Sequence, residues 1–333
     1  MTIPAIFSKI KSDRKEEAIM FQIFVDSAAN IPASVVEKYG IHVCVFVNMV
    51  NGKPVNGFEP GLSLDEERRR AHDYYEAVRK GAEIKTSLVN TADFIDSFTP
   101  VLKKGEDILY FSLSKNISGT YNAAKLAKED LEESYPDRKI LLVDSLNASL
   151  AQGILAIYGV IMRDQGVSIE ECHRILTATV PKMNGMFTVG DLKYLAKTGR
   201  INAATALLGN ALSIKPILRG NAEGFIVQFK KCRGRKKALN EVIDLVCSNI
   251  IEPEKQIIGI AQADAYEESC YVADEIMKRT PVKEIINTAY DYCTGSHVGP
   301  DTIALFYIAN DRELMGRPDE KDYIVPEIFQ YIH

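Results

Sequence analysis

Two short hydroxyl clusters, Thr86-Ser87 and Ser118-Gly119-Thr120, are the residues of this chain best suited to chemistry. Their types and spacing suit an uncharged cradle for an anion. The second cluster lies in the run Ile108–Ala124 (ILYFSLSKNISGTYNAA), where a strand-like apolar stretch passes through a Ser-rich turn into an Ala-rich helical segment. A helix start exposes N–H groups that have no intrahelical partner, and the aligned peptide dipoles add about half a positive charge there. Anions settle at such ends. Plain capping of the helix by Ser118 or Thr120 is the commoner role of those residue types when the local sequence is taken alone.

The elements that must hold these groups are also legible. Three apolar strand candidates end in similar residues: FQIFV into Asp26-Ser27, ILYFSLS into the Ser118 turn, and KILLV into Asp144-Ser145. Each precedes a helical segment, which indicates parallel strands covered on both faces. Ligands of such sheets bind outside the carboxyl ends of the strands. Asp26 and Ser27 therefore join the candidate site. Between the first two strands the spacing predicts a hairpin over Val43–Val55 with its turn at Asn51-Gly52. A charged helix follows over Ser63–Lys80, its Asp65–Arg70 block read as a solvated face. Lys85-Thr86-Ser87 is expected in the next loop.

Composition excludes several classes. The 333 residues are 46% hydrophobic and 26% charged, which suits a globular chain of two domains. A net charge of -5 and a pI near 5.7 speak against nucleic acid as partner. The longest apolar run, Leu150–Met162, is broken by Gln152 and is short of the roughly 18 residues of a membrane span. The six cysteines have no Cys-x-x-Cys pair and no histidine at ligand spacing, so neither metal nor cofactor is expected. Residues 1–19 lack the apolar core of a signal peptide and are read as an extension, with the cytoplasm as the default location.

Residues 20–181 are read as a parallel-sheet, Rossmann-like α/β/α domain and 182–333 as a mixed α/β domain, with the ligand between them. Helices are expected over Leu150–Met162 and Ile169–Val180 before the boundary. After it come a strand at Met186–Val189, a short helix over Asp191–Lys197 stopped at Gly199, and an Ala/Gly-rich helix over Asn202–Leu212. Strands at Phe225–Phe229, Gln256–Ile260, Ile285–Ala289 and Ala304–Ile308 alternate with helices at Ala238–Asn249 and Tyr266–Arg279. The basic run Lys230–Lys237, with Arg233 and Arg235, is either a solvated helix start or a docking point for a phosphate or acidic partner. His297 lies in a Gly/Pro turn (GSHVGP) where side chains project toward clefts.

Seven of these pieces, in order, resemble the DegV family: VDSAANIP, KTS, SLSKNISGTY, VDS, DLKYLAKTGRI, SIKPIL and SHVGP, over Phe21–Ile308. The resemblance implies a two-domain protein that binds one long-chain fatty acid, and in some members presents it to a fatty acid kinase for phospholipid synthesis. It implies that Thr86, Ser87 and Ser118 hold the carboxylate with His297 nearby. It also implies that Arg200 and Arg233 lie near the site or the kinase-facing surface. Three departures stand out: Ala28 follows Ser27 where a threonine is usual, Thr198 precedes Gly199-Arg200, and Asp301 replaces a glycine beside the histidine loop.

The physics of a fatty acid suits the neutral cradle. A sixteen-carbon chain offers on the order of 11 kcal/mol at roughly 0.8 kcal/mol per methylene, before association costs. Affinity then needs no ionic clamp, only hydrogen bonds for the buried carboxylate. The alternative is a serine hydrolase with Ser118 as nucleophile, His297 as base and Asp26 or Asp144 as orienter, although the chain has no Gly-x-Ser-x-Gly elbow. Nucleotide-binding Gly-rich loops are also missing, so any ATP must come with another protein.

Overall fold

A computed structural model of the chain describes residues 21–202, 214–314 and 325–332. The first half opens with β1 (Phe21–Asp26), a 3-10 turn at Ser27–Ala29 and α1 (Ala33–Tyr39). It continues through β2 (His42–Cys44), β3 (Val47–Val50), β4 (Lys53–Val55), α2 (Leu64–Arg79), β5 (Ile84–Ser87) and α3 (Thr91–Lys103). Then come β6 (Asp107–Ser112), α4 (Thr120–Ser134), β7 (Ile140–Asp144), α5 (Leu150–Asp164) and α6 (Ile169–Thr179). Four strands form a sheet in the order β2-β1-β6-β7, every pair parallel. Strands β4-β3-β5 form a small antiparallel sheet. Asn51 (φ 50) and Gly52 (φ 75) make its hairpin turn, where both central residues need positive φ.

The second half holds β8 (Met183–Thr188), α7 (Lys193–Lys197), β9 (Ile214–Gly220), β10 (Ile226–Arg233), α8 (Arg235–Asn249) and β11 (Ile257–Gln262). It ends with α9 (Tyr266–Arg279), β12 (Glu284–Ala289), α10 (Tyr292–Val298) and β13 (Ile303–Ile308). Its six strands run β10-β9-β8-β13-β11-β12, with only β11 and β12 parallel among the pairs. The architecture is thus two-domain α/β, a parallel sheet and a separate mixed sheet.

Helix α5 explains how the two sheets meet. It packs on β1 and β6 of one and on β11, β13 and β8 of the other. Twelve of its residues are buried, which is why LAQGILAIYGVIM is apolar all round rather than on one stripe. Helix α2 also crosses between the halves. It lies on β12 and α10, with Tyr74 donating to the Tyr292 carbonyl at 2.8 Å and Tyr75 to that of Tyr290 at 3.2 Å.

Several sequence expectations are corrected. Lys85-Thr86-Ser87 is not a loop but part of strand β5, paired with β3 from Val47↔Ser87 to Val50↔Ile84. Strand β9 was foreseen only as the motif SIKPIL. Its Pro216 pairs with Lys231, at a point where the pairing with β8 has already ended, so the missing N–H leaves no ladder partner there. Strand β10 runs on to Arg233, so the basic run straddles a strand end, Gly234 and the first turn of α8. The Asp65–Arg70 block is not merely solvated. Glu67 accepts the Ala33 N–H at 2.8 Å, Arg70 pairs with Glu59, and Arg68 lies 4.2 Å from the Tyr266 ring centre. The helix expected over Asn202–Leu212 falls almost wholly outside the described residues.

Candidate functional site

A cavity of about 340 Å³ lies between the two halves, within the size range of small-molecule sites. The first half contributes Ala28, Phe46, Thr86, Ser87, Leu88, Leu113, Ile117, Ser118, Gly119 and the Asn147–Ser149 turn. The second half contributes Gly185, Phe187, Leu195, Arg200, Ile226, Tyr290, Cys293, Thr294, His297, Val298 and Phe306, among others. Most of these are apolar. The polar groups include hydroxyls of both clusters, Arg200 and His297.

Strand β5 delivers the first cluster and the start of α4 the second. They adjoin, because a Cβ on Gly119 would stand 3.1 Å from the Leu88 side chain, the residue after Thr86-Ser87. Ser118 Oγ lies 2.8 Å from Thr120 Oγ1 and accepts the Thr120 N–H at 3.3 Å. The N-cap of α4 is Gly119, which has no side chain to cap the helix, and Ser118 takes the first helical N–H instead. Thr120 is buried behind Ser118 and does not line the cavity. Its hydroxyl can donate to Ser118, which leaves the Ser118 proton free to point inward.

His297 arrives from the other half. It occupies the last turn of helix α10, not the loop that GSHVGP suggested, because Asp291 caps that helix through the N–H groups of Cys293 and Thr294. Its Nε2 is 3.4 Å from Thr86 Oγ1, and its buried Nδ1 has no hydrogen-bond partner among the described residues. Burial, aided by the nearby Arg200 cation, pushes the imidazole down to about 4, so it is neutral at pH 7. Arg200 itself bonds to the Thr198 carbonyl and lines the cavity. Burial raises the Cys293 thiol well above its ordinary value, which makes it an inert wall group.

Thr86, Ser87, Ser118, Gly119, Arg200 and His297 thus line one cavity, while Asp26 and Ser27, expected with them, face away from it. Asp26 is fully buried, accepts the Ala28 N–H at 3.1 Å and the Tyr110 hydroxyl at 2.8 Å, and is pushed up to about 6 by burial. Ser27 Oγ accepts the Phe46 N–H at 3.1 Å. These two shape the wall from behind. Of the basic pair, Arg235 is engaged with Glu268 at 2.7 Å and Arg233 is exposed at the end of β10.

The hydrolase arrangement is not assembled. His297 meets Thr86 rather than Ser118, and neither Asp26 nor Asp144 bonds to it. Ser149 was missed by the sequence reading. It lines the cavity at the N-cap of α5 with φ 60 and ψ -144, a backbone state almost confined to glycine. The signal for it was the hydroxyl just ahead of the apolar helix.

A family profile described as "Uncharacterised protein, DegV family" matches residues 20–310. The chain belongs to the DegV family. A DegV domain-containing protein of Clostridium perfringens is 35% identical over 294 residues, covering 88% of this chain and 99% of that one. Two solved structures are also similar. One is a Thermotoga maritima protein described as revealing fatty acid binding function, with TM-score 0.72 and 26% identity, covering 88% and 100% of the two chains. The other is a stearic acid-binding protein of Eubacterium ventriosum, with TM-score 0.73 and 25% identity, covering 87% and 98%. No helix among the described residues is long and apolar enough to cross a membrane.

Proposed function

We propose that this DegV protein binds one long-chain fatty acid in the interdomain cavity and presents its carboxylate to a partner kinase for conversion to an acyl phosphate. The observation that carries the reading is the cavity itself: a mostly apolar wall that also carries Thr86, Ser118 and a neutral His297. The acyl chain supplies affinity through burial. Hydroxyl and imidazole groups supply hydrogen bonds to the carboxylate, and Arg200 supplies a cation within the same space.

Phosphoryl transfer is assigned to the partner, since the chain carries no nucleotide-binding loop. The exposed Arg233 is a docking residue in this proposal, and the division into 20–181 and 182–333 belongs to it as well. Activation of the lipid would feed phospholipid synthesis.

The test is mass spectrometry of an organic extract of freshly purified protein, with the native mass measured before and after extraction. A stoichiometric long-chain fatty acid supports the reading. An empty protein that also fails to take up added fatty acid overturns it. Incubation with ATP tests the division of labour: acyl phosphate formed by the chain alone overturns the role of a separate kinase.

A further inference from the structure

Behind the cavity a buried polar chain joins the two halves, and neither the fatty-acid reading nor the hydroxyl clusters account for it. Asn30 sits in the turn after β1, 6% exposed and in the left-handed region at φ 54. Its amide is used at both ends. The oxygen accepts the Ser149 hydroxyl at 2.7 Å, and the nitrogen donates to Asp291 Oδ1 at 2.9 Å. Ser149 belongs to the first half and lines the cavity. Asp291 belongs to the second half and caps α10, the helix of His297, at 2.9 and 3.0 Å.

We infer that Asn30 is a positioning residue of the binding site: it ties the strained Ser149 turn to the cap of α10 and so holds His297 against Thr86. The inference rests on the fatty-acid reading for its ligand, but not for its geometry. A carboxylate cap has two oxygens, and both are engaged by the first turn of α10. The Asn30 amide therefore fixes where the helix cap sits relative to the sheet of the other half. Ser149 is locked in the same step, because its hydroxyl proton is directed at Asn30 rather than into the cavity. An apolar residue at position 30 would leave a buried carboxylate short of one donor and a buried hydroxyl without its acceptor. An aspartate would set two buried carboxylates face to face.

Asn30→Gly is the informative variant, since glycine keeps the left-handed backbone at no steric cost and deletes both bonds. Two readouts apply: dissociation of bound cis-parinaric acid, a fluorescent long-chain fatty acid, and the NMR titration of the His297 ring. The variant is expected to release the probe about tenfold faster or more, the ratio set by one buried hydrogen bond. Its His297 is expected to titrate nearer the ordinary histidine value, although Arg200 still faces the ring. Asn30→Asp alone should behave as badly, and combining it with Asp291→Asn should recover part of the loss, because the amide at position 291 can donate to the carboxylate at position 30, while its single oxygen keeps only one of the two cap bonds of α10.

Wild-type release together with an unmoved His297 titration in Asn30→Gly overturns the inference. If that variant fails to fold, the exchange pair decides. A double variant no better than Asn30→Asp overturns the inference, and its recovery supports it. Should the wild-type protein take no probe at all, the fatty-acid reading fails, and the His297 titration still decides the role of Asn30.

Discussion

Ser118 and Thr120 share a 2.8 Å contact in which only one hydroxyl can donate, so the pair has one proton left over for a ligand. Replacing Ser118 by Ala removes the member that lines the cavity. A hydrogen bond to a charged group contributes about 1.5–3 kcal/mol, so Ser118→Ala should weaken fatty acid binding by about ten- to a hundredfold, measured by isothermal titration of delipidated protein. Unchanged affinity would remove Ser118 from the head-group contacts. His297 permits a second prediction with a definite sign. Its folded value of about 4 lies below its ordinary 6.5, so between those pH values the unfolded chain binds a proton that the folded chain refuses. Stability then falls as pH drops from about 6.5 to about 4, by about 3 kcal/mol in total. Asp26, Asp144 and Asp291 are all pushed upward by burial and act in the opposite direction over the acid range. The clean measurement is therefore a difference. Relative to His297→Asn, the wild-type protein should lose about 3 kcal/mol between pH 7 and pH 4 in urea unfolding, and parallel curves would contradict the buried neutral imidazole.

Helix α10 shows how a seven-residue element holds a site residue in place. Asp291 fixes its start, Gly299 at φ 80 ends it, and Gly295 lets it approach the buried ring of Tyr75, whose hydroxyl lies where a Cβ would stand. Gly295→Ala should therefore cost about 1–3 kcal/mol of stability, the usual range for overpacking, and should lower fatty acid affinity as α10 shifts. An unchanged melting temperature would mean that Tyr75 yields freely. Such close approaches were not legible in the sequence, where GSHVGP read as a loop because two glycines and a proline punctuate it. The elements with strong local signals were legible: FQIFV, ILYFS and KILLV as parallel strands, the Asn51-Gly52 hairpin, and the charged helix α2. Strand β5 was hidden because IKTS has one strongly apolar residue and earns its place by pairing with β3. The hydroxyl clusters were recognisable by residue type. Asp26 looked equally functional, and only its bonds to Tyr110 and Ala28 reveal a supporting role. Asn30 carried no signal at all, because its partners lie 119 and 261 residues away.

At the scale of the whole molecule the cavity is a seam, and the seam is closed by polar ties. Arg79 of α2 reaches Asp264 and, at 2.8 Å, Asp301. Asp301 adopts φ 63, so it bears backbone strain and gains an ion pair across the seam. Arg312 is 2% exposed and donates to the carbonyls of Leu146, Val180, Pro181 and Asn221, which binds the inter-sheet connection to both halves. On the proposed function, a fatty acid between the halves would add apolar contact to each wall and be lost on unfolding, and so would stabilise the folded state by mass action. At a free concentration a hundredfold above Kd the gain is about 2.7 kcal/mol, which for a chain of this size is a rise of several degrees in Tm. Delipidated protein should therefore melt several degrees below the loaded form, and the difference should grow with the logarithm of added fatty acid. The same titration on Arg79→Ala separates the ties from the ligand: its baseline Tm should drop while the increment per tenfold of lipid stays the same. An increment that disappears with Arg79 would mean that the lipid is sensed through the ionic tie and not through the cavity wall.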